Sequence, residues 1–222
     1  HQEEGEFDAS SFIIGHIKDS HSWHLWTKKD GEHVAVPLPV IVISKHSGFH
    51  VFMSSKIEHG HHYKGFTLGT GEDEGKIIEL DSAGDMVKEG LPLDFSITKT
   101  VFMMMLSVII MLWLFLSLAK SYKKTGISEP KGMQGFLEPI IQFVEDEIVK
   151  PNIREDKSER YMPYLLTVFF FILLNNVLGL IPIFPFGANV TGNIAVTMVL
   201  ALFTFFITQF SSNKNYWKDI FN

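Results

Sequence analysis

The sequence predicts a membrane α-helical fold, three transmembrane helices plus one amphipathic helix, with a small β-rich extracytoplasmic N-terminal region. Three observations predict it: charge is divided unevenly along the chain, three long runs are nearly free of charge, and basic residues gather between particular runs. Averaged over 222 residues, 46% hydrophobic and 20% charged looks like a soluble protein. The distribution does not. Before Ser96 there are 8 Lys+Arg, 16 Asp+Glu and all 10 His, a formal charge of −8; the remainder has 11 Lys+Arg and 9 Asp+Glu, or +2, which together give the overall −6.

Residues 1–96 form the β-rich, His-containing extracytoplasmic region. Val34 to Ser44 and Phe49 to Lys56 are β-rich runs joined by Lys-His-Ser-Gly, the pattern of a hairpin. Pro37 and Pro39 cannot both sit in a central strand, so the first run is expected to be an edge or only half strand. Gly65 to Glu74 is turn-rich and acidic, Lys76 to Leu80 is a short strand candidate, and Asp81 to Asp94 connects to the membrane. The chain begins at His1 rather than Met, as it would after removal of a signal peptide, although trimming gives the same start.

The first span is placed at 97–119. Its run Val101 to Ala119 is interrupted only by Ser107 and Ser117, and at ~1.5 Å per residue it is about 28 Å long, close to the ~30 Å hydrocarbon core. Residues 120–163 form a loop containing an amphipathic helix at 133–149. There Phe136, Ile140, Phe143, Val144 and Ile148 recur at helical spacing, and Gln134, Glu138, Gln142 and Asp146 occupy another face. This helix either lies along the membrane surface or packs on a partner or on the other spans. A second span at 164–183, an external turn at 184–193 rich in Pro, Gly and Asn, and a third span at 194–210 make a helical hairpin; 211–222 is the tail. Thr197, Thr204 and Thr208 can satisfy their hydroxyls on the preceding helical turn.

Orientation follows from the bases. Lys120, Lys123, Lys124, Lys131, Lys150, Arg154, Lys157 and Arg160 all lie between the first two spans, Lys214 and Lys218 lie in the tail, and the 184–193 turn has neither Lys nor Arg. Positively charged flanks stay in the cytoplasm, so the loop and the tail are cytoplasmic and the N-terminus is outside.

Several chemistries are excluded. Without cysteine there is no disulfide, Cys-ligated zinc, iron-sulfur cluster or thiol catalysis. No long basic block points to nucleic acid, and no Gly-rich loop opens a helix to cradle a nucleotide phosphate. No cofactor and no catalytic residue is expected, nor an enzyme acting alone. Histidines 21, 24, 46, 50, 59, 61 and 62 supply many imidazoles, but their spacing matches no defined metal motif and solvated surface His is the default. The polar positions in and around the hairpin are Asn175, Asn176, Thr191, Asn193, Thr197 and Gln209, and no Asp, Glu, His, Lys or Arg lies inside a span. Amides there either hydrogen-bond between helices or line a hydrated ion path.

The order of these features, with Asn176-Val-Leu-Gly-Leu-Ile-Pro182 followed by Thr191-Gly-Asn-Ile-Ala-Val-Thr197, resembles subunit a of the F-type ATP synthase, in the bacterial form with a long N-terminal extension. The resemblance covers Ile97 to Asn222. It implies a stator subunit in the bacterial inner membrane, beside a ring of c subunits and with peripheral-stalk b subunits as further partners, where two half-channels pass protons to and from ring carboxylates. It implies no nucleic acid partner. On that reading Asn175, Asn176, Thr191, Asn193 and Gln209 are proton-path candidates. Two departures stand out: Asn193 takes the place of a frequent Asp, and Ala195 that of an Asn. The family's essential arginine belongs to later helices, and Arg154 and Arg160, in the cytoplasmic loop, do not match it; the chain is expected to be the N-terminal portion of a longer subunit. The ring, in another chain, chooses between H+ and Na+. The competing classes are a membrane-anchored extracytoplasmic module that binds a metal or partner, and an assembly scaffold.

Overall fold

The computed structural model describes residues 19–27, 33–58, 60–81, 83–87, 90–125, 131–181, 183–212 and 216–218. Two compact units emerge, one of residues 1–105 with 182–188 and the other of 106–181 with 189–222.

In the first unit, β1 (Ser22–Thr27) pairs with β2 (His33–Pro37); β3 (Pro39–Ser44) lies between β4 (Gly48–Met53) and β7 (Leu93–Asp94); and β5 (Phe66–Leu68) pairs with β6 (Ile77–Glu79). All pairings are antiparallel. The period-two alternation of a strand sends Val40 and Val42 of β3 and Phe52 of β4 inward, where they close a core with Ile57, Phe66 and Ile77.

The apolar run 34–44 is not one strand. Pro37 ends β2 and Pro39 opens β3, while the Leu38 N–H between them donates to His21 O (3.3 Å) and Ser54 Oγ (3.2 Å). The run is thus divided, as the second of the two expectations had it: β2 lies in a two-stranded sheet, and β3 is the central strand of another, with Pro39 at its first residue, where a missing N–H is tolerated. Strand β1 escaped the sequence pattern for a different reason. Its register shifts between His24 and Trp26, and such a bulge breaks the alternation by which a strand is recognised.

The chain leaves this unit through a tightly bonded joint. Phe95 N and Ile97 N donate to Ile41 O (2.8 Å) and Pro39 O (3.0 Å), extending the β3 edge toward helix α1 (Lys99–Thr125). The first N–H groups of a helix have no partner within it. Here Asp19 Oδ1 accepts from Thr100 N (2.9 Å), Ser20 O from Lys99 N (2.9 Å) and Thr98 Oγ1 from Val101 N (3.3 Å). The indole of buried Trp23 stands edge-on to Phe102 (5.8 Å) and Phe184 (5.6 Å). His21 Nε2, also buried, lies 2.9 Å from Asp94 Oδ2. Burial pushes the Asp94 carboxyl upward, but hydrogen bonds from His21 and Ser96 outweigh it and leave the group below the usual carboxylate value.

The second unit is helical. Helix α1 continues through Lys120–Thr125, past the expected end of the apolar run, because charged side chains end a span without ending a helix. Helix α2 (Met133–Phe143) passes into a π-turn at Val144–Val149 and a short turn at Lys150–Asn152. Helix α3 (Glu155–Gly179) starts well before Tyr164 and continues through Pro163, and α4 is Ile194–Ser211. Among the described residues three helices are long and apolar enough to cross a membrane: Lys99–Lys124, Glu155–Gly179 and Ile194–Ser211. Leu118 of α1, Leu137 of α2 and Phe170 of α3 form the core of this unit, with the Phe115 ring edge-on to Phe170 at 4.9 Å.

Of the expected apolar face at 133–149, part is buried within the unit and part is left exposed. Gln134, Leu137, Val144 and Val149 are buried, while Phe136 and Phe143 are 69% and 52% exposed. Phe136 and Phe143 both precede the π-turn, so their exposure reflects which side of α2 meets Leu118 and Phe170, the side that carries Leu137. Lys150 stays beside that turn through Asp146 (2.6 Å) and Glu145 (3.2 Å), whose hydrogen bonds hold its ammonium above the usual lysine value.

Two expected outcomes follow. Trp23→Ala should cost about 3–5 kcal/mol and expose the peptide bonds near Phe184 to protease, as read by thermal unfolding and limited proteolysis of the detergent-solubilised chain. Asp94→Asn should destabilise the chain at neutral pH. A lowered carboxyl contributes stability above its unfolded value of about 3.9 and loses it as pH falls through the folded value, so the gap between wild type and variant should close in acid.

Candidate functional site

The polar positions gather where α3 and α4 are joined. Asn175 and Asn176 lie one turn before the C-terminus of α3, and a step of ~100° per residue sends their side chains in different directions. Asn175 is 1% exposed. Its Nδ2 donates to Phe171 O (2.8 Å), one turn earlier, and its Oδ1 is buried with no hydrogen-bond partner. Asn176 Oδ1 accepts from Thr191 Oγ1 at 2.5 Å. That bond joins the end of α3 to the segment that enters α4.

The rest of the segment is built from its own backbone and amides. Asn189 Oδ1 accepts from Gly192 N (2.9 Å), and Asn193 Oδ1 accepts from Ala195 N (2.9 Å) as the N-cap of α4. Gly192 is required by close approach, since a Cβ there would lie 2.2 Å from the Asn189 amide. Thr197 Oγ1 donates back to Asn193 O (3.3 Å) and Ile194 O (3.2 Å). Val190, within the segment, is fully buried.

Four of the five candidate residues therefore lie near one joint: Asn176 and Thr191 are bonded across it, Asn193 caps α4, and Asn175 is bonded within α3. Gln209 is not near it. It lies sixteen residues along α4 from Asn193, about 24 Å at 1.5 Å per residue, and its Nε2 donates to Tyr216 Oη (2.9 Å). Two contributors escaped sequence reasoning. Asn189 was visible only as part of a breaker-rich turn, and the Tyr164 Oη to Thr204 Oγ1 contact (2.9 Å) ties α3 to α4 through residues forty apart, for which sequence carries no local signal.

Chemically the joint offers amides and hydroxyls and no group that titrates near neutrality. Such groups orient water and relay hydrogen bonds without changing charge. Among the described residues no three His, Asp or Glu side chains form a group able to hold a metal ion. His59 lies outside the described residues, His61 and His62 are exposed, His50 packs on the Phe66 ring (5.1 Å), and His21 is committed to Asp94.

Asn193→Ala should lower stability by about 1 kcal/mol through loss of the cap, and Asn193→Ser should restore most of it. Thermal unfolding in detergent, followed by helical circular dichroism, reads both.

Comparison with known proteins adds a second line of observation. The family model described as ATP synthase A chain matches residues 101–222, and a model described as a domain of unknown function (DUF8433) matches residues 12–95. The chain is 47% identical over 122 residues to ATP synthase subunit a 2 of Chlorobaculum tepidum, covering 54% of this chain and 34% of that protein. It is 48% identical over 122 residues to ATP synthase subunit a 2 of Prosthecochloris aestuarii, covering 54% and 36%. With ATP synthase subunit a of Anaeromyxobacter sp. (strain Fw109-5) it shares 39% identity over 142 residues, covering 61% and 33%. The matched part of the chain thus spans about a third of the length of these relatives. No solved structure matches. With the family model over more than half of its residues and relatives of this similarity, the chain belongs to the ATP synthase A chain family.

Proposed function

We propose that this chain acts in the membrane stator of an F-type ATP synthase, and that the α3–α4 joint forms part of the extracytoplasmic half-channel feeding protons to a ring of c subunits. The observation that carries the reading is the buried Asn175 Oδ1 without a partner, one residue from the Asn176–Thr191 hydrogen bond. An orphaned buried acceptor costs about 1–3 kcal/mol, whereas hydrogen bonds between membrane helices average only about 0.6 kcal/mol. Packing alone is therefore a poor reason to keep an amide there. A buried acceptor that one water or hydronium can satisfy is a better one.

The basic residues support the orientation. The joint carries no Lys or Arg, while eight bases lie between the apolar runs of α1 and α3, from Lys120 to Arg160, so the joint and the β-rich region are outside and the loop is in the cytoplasm of a bacterial inner membrane. No titratable side chain stands within the apolar interior of the three helices. The charge-exchanging step then falls to ring carboxylates, with this chain delivering the proton through neutral amides and hydroxyls. Peripheral-stalk b subunits are the other expected partners.

Thr191→Val and Asn176→Leu should each reduce ATP-driven proton pumping several-fold in inverted vesicles, with the complex still assembled. Undiminished pumping in both variants contradicts the reading.

A further inference from the structure

A second polar site lies at the other end of α3 and α4. A cleft of about 340 Å³ opens there, lined by the first turns of α3, the last turns of α4 and the residues that flank them. Along α3, Lys157, Tyr161 and Leu165 follow at i, i+4 and i+8, so one helix face descends from a cation through a phenol to an aliphatic side chain. Across from them Ile207 adds a second aliphatic wall, and Ser211 and Ser212 add hydroxyls at the rim.

The charges at the rim are under-committed. Lys157 Nζ reaches Ser211 O at 3.4 Å and, among the described residues, forms no ion pair with a carboxylate. Arg154 is held by Asp156 through Nε (3.1 Å) and Nη2 (3.2 Å), which leaves the other guanidinium donors outside that fork. Lys157 precedes the apolar run at Tyr164 by about 10 Å of helix, and Ser211 is the last residue of α4. If α3 and α4 cross a membrane, as their length and composition allow, this is the depth of lipid headgroups.

We propose that the cleft binds one anionic phospholipid, its phosphate held by Lys157 and Arg154 and an acyl chain lying along Leu165 and Ile207. The order of cation, phenol and aliphatic side chain matches the order of phosphate, glycerol and acyl chain in a lipid at an interface, where aromatic residues also concentrate. A free phosphate ion has no use for the apolar wall, and a zwitterionic lipid gains little from two bases. The inference rests on the membrane placement of α3 and α4 and is independent of the proton path.

Native mass spectrometry of the detergent-solubilised chain with equal phosphatidylglycerol and phosphatidylcholine tests it. Wild type should retain phosphatidylglycerol preferentially, and Lys157→Gln and Arg154→Gln should each weaken retention by about fivefold, the usual effect of one basic residue at an anionic surface. Thr208→Phe, which fills the cleft and keeps both charges, should displace the lipid, and Lys123→Gln, on α1 and outside the cleft, should not. Equal retention of the two lipids, a Lys123→Gln effect as large as that of Lys157→Gln, or displacement of the lipid by inorganic phosphate would overturn the proposal. Because the charge variants leave the apolar wall of the cleft in place, they decide it even if Thr208→Phe fails to fold.

Discussion

A hydrocarbon environment offers no hydrogen bonds, so a chain that enters it must satisfy its polar groups internally or expose them to water along a defined route. Much of the helical half follows from that constraint. Thr167, Thr204 and Thr208 donate to carbonyls one turn earlier. Asn193 caps α4, and Asp19 caps α1 from eighty-one residues away. Asn176 and Thr191 satisfy each other across the joint. Against this near-complete accounting, the Asn175 carbonyl stands out as a buried oxygen with no donor.

The same accounting explains how the β-rich region is coupled to the first helix. Asp19 and Ser20, just before β1, supply the carboxylate and carbonyl that the start of α1 lacks, and β3 carbonyls hold Phe95 and Ile97 just ahead of it. Trp23 adds apolar area at the same place, against Phe102 and Phe184. Within its unit, residues of the region matched by the domain of unknown function thus cap and pack on the first turns of α1.

Much of the helical architecture was legible because the signals were long. Helices of eighteen or more predominantly apolar residues and a segregated set of bases survive small errors in placement, and the motifs around Gly179 and Gly192 pointed to the right family. Where the reading failed, the cause was local geometry. A bulge hid β1, and the two prolines, which ruled out one central strand, did not say that the run would divide into β2 and a central β3. Within the site, Asn175, Asn176, Thr191 and Asn193 were legible as rare polar residues in apolar surroundings. Gln209 satisfied the same rule and lies at the other end of α4, because a one-dimensional pattern cannot say which end of a helix faces which partner. Asn193 marks a second limit: its place in a motif suggested a path, and its oxygen is occupied in capping a helix.

The central claim is that the α3–α4 joint meets water from the side of the β-rich region and belongs to the proton path. The sequence contains no cysteine, so a single introduced thiol reports on its own position. Asn176→Cys and Thr191→Cys, each in the assembled complex, are exposed to a membrane-impermeant thiol reagent from either side while proton transport is followed, with buried Phe170→Cys as the reference. The account predicts reaction at 176 and 191 from the side of the β-rich region, slowed transport after labelling, and no reaction at 170. Thiols at 176 and 191 that stay unreactive, or that are labelled with transport unchanged, would contradict it.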